Sequence, residues 1–171
     1  GLYDVMILDG GREGYYVAGT YDSTGRCVGV CSYCPSTDYD ISSGRGGDMV
    51  SLYSRKLSGS YTVKVGASMG ASSLGSLTTG SGTPAYSGAG SGSNGSGGSK
   101  TTTKPFGGDS SEFATPLSAG GSDASGTAGG NYGGGAYNSA GLAGTGGGGG
   151  RPSAEGYKAG GSGKIIIRWG Y

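Results

Sequence analysis

Hydrophobic residues along this chain fall into short alternating runs separated by glycine and serine, and the alternation has the two-residue period of a strand. In GLYDVMIL, Tyr3, Val5 and Ile7 alternate with Asp4 and Met6, and Asp9-Gly10-Gly11 then has the composition of a turn. GYYVAGTY, ended by DSTG, is a second strand, RCVGVCSY a third, and DMVSLYSR a fourth with Val50 and Leu52 on one face. YTVKVG gives the cleanest alternation, with Tyr61, Val63 and Val65 expected inward and Thr62 and Lys64 outward. SSEFATPLSAGG brings back Phe113 and Leu117 as a short strand, and KIIIRW supplies a last one. Glycine or serine interrupts every stretch that starts a 3.6-residue period, so no α-helix of consequence is expected.

The apolar residues are unevenly spread. Of 22 Leu, Ile, Val and Phe residues, 13 lie in the first 66 positions, six lie between 67 and 163, and the last three are Ile165–Ile167. This predicts one domain in three parts: a β-strand head (1–66), a Gly/Ser-rich body (67–163) and a closing strand (164–171). So few large apolar residues are a mark of disorder. However, the net charge is only +1 and there are 13 tyrosines, neither of which fits that class.

Glycine makes up 44 of the 171 residues, and in the body it recurs with a period. Positions 120, 126, 129, 135, 141, 144, 147 and 150 are glycine, all on one three-residue phase. Three residues per turn is the repeat of the polyproline II helix, which makes no internal hydrogen bonds and leaves its amides and carbonyls to pair with neighbours. With only five prolines the collagen form is excluded. A flexible Gly/Ser linker would not need the embedded Tyr132, Tyr137 and Leu142, nor a strand to return to. The fold class expected is therefore all-β: a sandwich-like head of short strands with a bundle of glycine-rich polyproline II-type helices and essentially no α-helix.

Twelve Lys and Arg against 11 Asp and Glu leave no basic footprint for nucleic acid or an anionic membrane. No apolar run reaches membrane-spanning length and no signal peptide is visible, so membrane insertion is not expected. A first residue that is Gly1 rather than methionine points to a processed product or a fragment.

Catalytic and metal chemistry finds little support. CVGVCSYC places Cys27, Cys31 and Cys34 at the C-x3-C-x2-C spacing that holds an iron–sulfur cluster in radical enzymes, but the chain lacks the αβ repeats of their barrel. The triplet is read as thiols or a disulfide with one cysteine spare, and only weakly as a metal site, for which a fourth ligand such as Asp38 or Asp40 would be needed. The Asp38–Asp40 segment lacks the further oxygen ligands of a calcium loop. Matches to Gly-x-Gly-x-x-Gly, such as GSGSNG, neither follow a strand nor open a helix, which excludes phosphate binding. Without any histidine there is no Ser-His triad, and neither an enzyme nor a cofactor is expected.

Recognition is better supported. Tyrosine among Ser, Gly and Asn is the composition of adaptable binding loops, because tyrosine offers large contact area at small entropic cost. Tyr86, Tyr132, Tyr137 and Tyr157 lie inside glycine-rich segments, where they either contact a receptor or pack over the bundle in place of a core. Arg151, like Arg12 and Arg45, stands beside glycines and suits an acidic glycan; Trp169 is read as structural or as a sugar platform.

The order of VMILDGGREGYYVAG, SGSYTVKVGA, SSEFATPLSAGG, GGNYGGGAY with GGGGG, and the closing GGSGKIIIRWGY resembles the glycine-rich domain at the C-terminal tips of bacteriophage tail fibres and related tail proteins. It covers nearly the whole chain. The segment after YTVKVGA is serine-rich where that family is glycine-rich, and residues 27–40 have no counterpart. The resemblance implies a trimeric fibre whose tip loops bind a host cell-surface polysaccharide or protein, joined to an upstream shaft. It also implies a place in the virion after assembly in the host cytoplasm. The alternative is a structural glycine-rich subunit of a virion or extracellular filament without a specific ligand. A similar architecture occurs in some animal receptor kinases, so the fold alone does not imply a phage.

Overall fold

A run that is apolar at every position rather than every second one must be covered on both faces, and residues 5–8 of β1 (Leu2–Leu8) meet that condition. In the computed structural model, which describes residues 1–18, 20–21, 27–28, 39–81, 104–122 and 132–170, Val5, Met6, Ile7 and Leu8 are all fully buried. β1 is the middle strand of an antiparallel sheet between β6 (Met49–Lys56) and β11 (Lys164–Arg168). Its register sets Leu52, Val5 and Ile167 in one cross-strand row and Val50, Ile7 and Ile165 in the next. Leu74 covers that face, with Leu57 and Leu77 alongside. On the opposite face Met6, Leu8 and Met49 pack with Phe106, and with Ile166, Phe113 and Leu117 at the margin. Three consecutive isoleucines are required because the closing strand contributes to both faces.

A second three-stranded sheet has β2 (Gly14–Ala18) between β5 (Tyr39–Ser42) and β10 (Gly156–Lys158). The remaining strands are short: β3 (Thr20–Tyr21) pairs with β4 (Cys27–Val28), while β7 (Val63–Lys64), β8 (Ser73–Leu74) and β9 (Leu77–Thr78) form a small meander. Among the described residues no helix has seven or more residues, and the elements are mainly strands in small sheets.

The two larger sheets are joined thread by thread. β1 leads through residues 9–13 into β2, β5 through 43–48 into β6, and β10 through 159–163 into β11. The strand orders β11-β1-β6 and β10-β2-β5 are therefore the same three threads, side by side. Between the sheets their glycine-rich middles stay bonded to one another: Asp9 N–H to the Asp48 carbonyl, Arg12 N–H to Arg45, and Gly11 N–H to Gly161, each at 2.9 Å.

Those middles form half of a ring around residues 146–151. Gly44 and Gly47 donate to the carbonyls of Gly149 and Gly146. Gly148 and Arg151 donate to Ala119 and Ser122, while Gly135 and Asn138 donate to Gly148 and Arg151. Gly150 donates to Ser139, Gly149 to Arg12, and Gly161 to Gly147. Six described segments thus bond to the central one: 9–12, 44–48, 118–122, 133–138, 139–142 and 159–163. The ring also closes on itself, through Gly121 to Gly44, Ser122 to Gly135, Leu142 to Gly133 and Gly141 to Ala159. Buried serine hydroxyls serve groups at the ends of these segments: Ser72 Oγ donates to the Leu8 carbonyl at 2.7 Å and accepts from Gly66 N–H at 2.9 Å.

Three expectations are corrected. Asp9-Gly10-Gly11 does not turn β1 back on itself, because its amides are taken by Asp48, Gly70 and Gly161 and the chain passes on to another sheet. SSEFATPLSAGG is not a strand: Ser111–Phe113 is a single 3-10 turn that brings Phe113 to the sheet beside Phe106, which the preceding segment Pro105–Gly108 delivers with a left-handed backbone at φ 50°. Tyr61, Val63 and Val65 are not inward, and Val63 is 57% exposed. The meander that contains β7 is only two residues wide and places its middle strand's Leu74 against the core instead.

Packing this close leaves no room for a side chain at the enclosed central glycines 147–150. A Cβ added to Gly148 would lie 2.0 Å from the Gly44 carbonyl oxygen. Gly148→Ala is therefore expected to cost about 3 kcal/mol or more in chemical denaturation, as buried overpacking does. Gly59→Ala, at φ 85° with nothing within 4 Å, is expected to cost only about 1 kcal/mol, the strain of a left-handed backbone.

Candidate functional site

The end of the bundle beside β2, β5 and β10 carries the connections that bring two of the four predicted tyrosines, Tyr137 and Tyr157, to one side. The 133–138 segment runs parallel to 146–151, with Gly135 opposite Gly148 and Asn138 opposite Arg151. The chain then reverses through Tyr137 and Asn138, closed by Ser139 N–H to the Ala136 carbonyl at 2.9 Å. Asn138 sits at φ 63°, a conformation asparagine tolerates better than most residues. Its side-chain Oδ1 accepts from Ser153 N–H at 3.2 Å and so fixes the turn to the next loop.

Asn138 and residues 152–158 line a cleft of about 140 Å³, which includes Ser153, Glu155, Tyr157 and Lys158. Tyr157 lies on β10 opposite Tyr15 and is 59% exposed. An exposed ring beside amide, carboxylate and ammonium groups can stack on the apolar face of a sugar while its hydroxyls are hydrogen-bonded. The cleft is smaller than the roughly 300–1,000 Å³ of drug-sized sites, and suits one edge of a larger ligand.

The structure brings Tyr137, Tyr157 and Arg151 to this end. Arg151 holds it together by its main chain, donating to Ser122 and accepting from Asn138, each at 2.8 Å. Tyr132 is not with them: it is half-buried at the other end of the segment, and its carbonyl accepts from Ala119 N–H. Tyr86, Cys31, Cys34 and Asp38 lie outside the described residues, as do the side chains of Cys27 and Asp40. Among the described residues no three Cys, Asp or Glu side chains gather as metal ligands. Asn138, Glu155 and Lys158 were missed by sequence reasoning; the one available signal was an asparagine in the Tyr-Asn-Ser turn.

Another concentration of charge lies at the opposite end and fastens the closing strand. Arg168 donates from Nε and Nη2 to Asp4 Oδ2 at 3.2 and 3.0 Å. It also donates from Nη1 and Nη2 to the two Asp109 oxygens at 2.8 and 2.6 Å. Its guanidinium lies 4.0 Å from the Phe106 ring centroid. Buried Asp4 uses its other oxygen to accept from Ser54 N–H at 2.8 Å, at the irregularity where β1 and β6 change register. Burial, then the nearby Asp109 charge, raises the Tyr53 hydroxyl above its ordinary range. Trp169 stands at this same end, 67% exposed, with its ring centroid 6.2 Å from that of Tyr3.

No family model matches the chain, and neither a curated protein nor a solved structure does. Among the described residues no helix is long and apolar enough to cross a membrane.

Hydrogen bonds from Arg168 are the first cause that holds the Asp109 carboxyl below its ordinary range. A depressed folded-state pKa means that the ion pair contributes fully above the unfolded carboxylate value, about 4, and is lost as pH falls through the lower folded value. A carbon-13 NMR titration of the carboxyl should place the Asp109 midpoint below that value. Arg168→Gln should move it upward.

Proposed function

We propose that this chain is the distal tip domain of a phage-type tail fibre and binds a cell-surface receptor, a polysaccharide or an outer-surface protein, through the loops at the β2–β5–β10 end. In this reading the glycine-rich segments are polyproline II-type threads and the strands that cap them form a sandwich-like head. The repeat of the hydrogen bonds supports the threads: Ala119 and Ser122, Gly135 and Asn138, and Gly44 and Gly47 each meet the central segment at intervals of three residues. The order of motifs shared with tail-fibre tips supports the class.

The observation that carries the binding role is the placement of exposed Tyr157 with Asn138 and Glu155 on connections rooted in the bundle's hydrogen-bond ring. A surface held in place before contact loses little freedom on binding. Leu2 and Arg168, at the outer ends of β1 and β11, lie at the other sheet, so a shaft joined through that side leaves the loops facing outward. The assembly proposed is a homotrimer, formed in the host cytoplasm and acting in the virion without catalysis, cofactor, metal or nucleic acid.

A second reading is a filament subunit without a specific ligand, and the exposed Leu2, Val63 and Val65 away from the loop end favour it. Binding of the purified chain to intact bacterial cells, competed by their surface polysaccharide, distinguishes the two. Tyr157→Ala is expected to weaken that adhesion about tenfold or more, the loss of one well-placed aromatic contact. Trp169→Ala, at the opposite end, should leave it unchanged. Uniform filaments with no cell binding would favour the second reading.

A further inference from the structure

A side cleft between two threads of the ring has chemistry that the tip does not use. It measures about 120 Å³ and is lined by Asp9, Arg12, Arg45, Asp48 and Met69, with glycine backbone for its floor. Arg12 and Arg45 are neighbours on the 9–12 and 44–48 threads because Arg12 N–H donates to the Arg45 carbonyl at 2.9 Å. Arg12 is further fixed through its own carbonyl, which accepts from Gly149 N–H in the centre of the ring. Two guanidinium groups thus stem from backbone that is held in place.

Their charges are available. Arg12 is exposed and makes no ion pair with a described residue. Arg45 reaches Asp48 only at 3.5 Å, with both side chains well exposed, and such a surface pair is worth little. Asp9 makes no ion pair with either among the described residues: its Oδ1 accepts from Ser72 N–H and its Oδ2 from the Thr79 hydroxyl, both at 2.8 Å.

The rim adds a second, independent feature. Gly70 N–H closes a turn onto the Ala67 carbonyl, and Met69 within it is held at φ 62°, where glycine or asparagine is usual. That strained backbone leaves methionine half-exposed at the mouth of the cleft. Strain kept at a surface opening points to a use for the side chain presented there.

We propose that this cleft binds a carboxylated saccharide. The Arg12 and Arg45 guanidinium groups take the sugar carboxylate, for which their planar fork is matched. Asp48, released from Arg45, accepts ring hydroxyls, and Met69 covers an apolar face of the ring. The site lies beside the bundle rather than at its tip, so it is separate from Tyr157. It rests on the reading of the chain as a glycan-binding protein only for the class of ligand.

The test is an NMR titration of the full chain with D-glucuronate, D-glucose, acetate and inorganic phosphate. Glucuronate is expected to shift the amides of Arg12, Arg45 and Gly46 saturably, with an affinity at least tenfold above that of the other three. Arg12→Gln should lower glucuronate affinity at least tenfold, and Arg12→Lys nearly as much, because an ammonium lacks the fork. Unchanged amide shifts at Gly148–Gly150 show that each variant keeps the ring. Acetate or phosphate binding as tightly as glucuronate, or full affinity in Arg12→Gln, would overturn the proposal. Cell adhesion lost in Tyr157→Ala with glucuronate binding intact separates this site from the tip, and adhesion without glucuronate binding sinks this inference alone.

Discussion

Backbone amides that cannot bond within their own segment must bond sideways or be left without a partner, and buried ones are almost never left so. That requirement organises this molecule. The central segment 146–151 has no apolar side chain to bury, yet it is enclosed, and its N–H and C=O groups are directed in turn to six neighbours. An apolar core holds a chain together by area removed from water. Here a large share of the cohesion is directional, and each contact requires two backbones to come within hydrogen-bond distance. A side chain at the interface would prevent that, so glycine is demanded by proximity rather than by flexibility.

The apolar core and the hydrogen-bond ring depend on each other. β1, β6 and β11 bury their aliphatic rows against Leu74 on one side and Phe106 on the other, which fixes the lateral order of three threads. The same order continues through the glycine segments and emerges in the second sheet. Strand pairing at each end therefore offsets the entropy of ordering glycine between them, the cost that keeps isolated glycine-rich chains unfolded. The Arg168 clamp on Asp4 and Asp109 acts at the same place, since it holds the last strand against β1 and the Phe106 turn against the sheet.

How much of this was legible follows from the kind of signal involved. β1, β6 and the closing strand were visible because each is a cluster of aliphatic residues bounded by glycine or polar sequence. The three-residue phase between 120 and 150 was visible because it is long. Gly10-Gly11 and Gly44–Gly47 were not, because a glycine pair after a strand has the composition of a turn whether or not it turns; its fate is decided by partners more than a hundred residues away, such as Gly149 and Gly161. The alternation in YTVKVG was real, yet alternation reports two unlike faces and not what covers either. At the candidate site, tyrosines in glycine-rich sequence were marked by composition, which separates Tyr157 from Tyr132 only once the direction of each thread is known. Asn138, Glu155 and Lys158 had no pattern at all, because they are assembled by the reversal of one thread and the departure of another.

Division of labour between backbone and side chain also bears on how such a scaffold can carry recognition. In an ordinary domain a surface loop is anchored by side chains that belong to the core, so a change in the loop risks the packing. Here the tip is anchored by main-chain bonds, Asn138 N–H to Arg151 and Arg151 N–H to Ser122, that any non-proline residue can make. Side chains further along the same connections, such as Tyr157, are left to the outside. Space is constrained where threads touch and relaxed where they end, which separates the residues that hold the shape from those that the proposed ligand would meet. A surface that must change its partner without losing its fold requires that separation, and it arises here from where the backbone groups find their bonds.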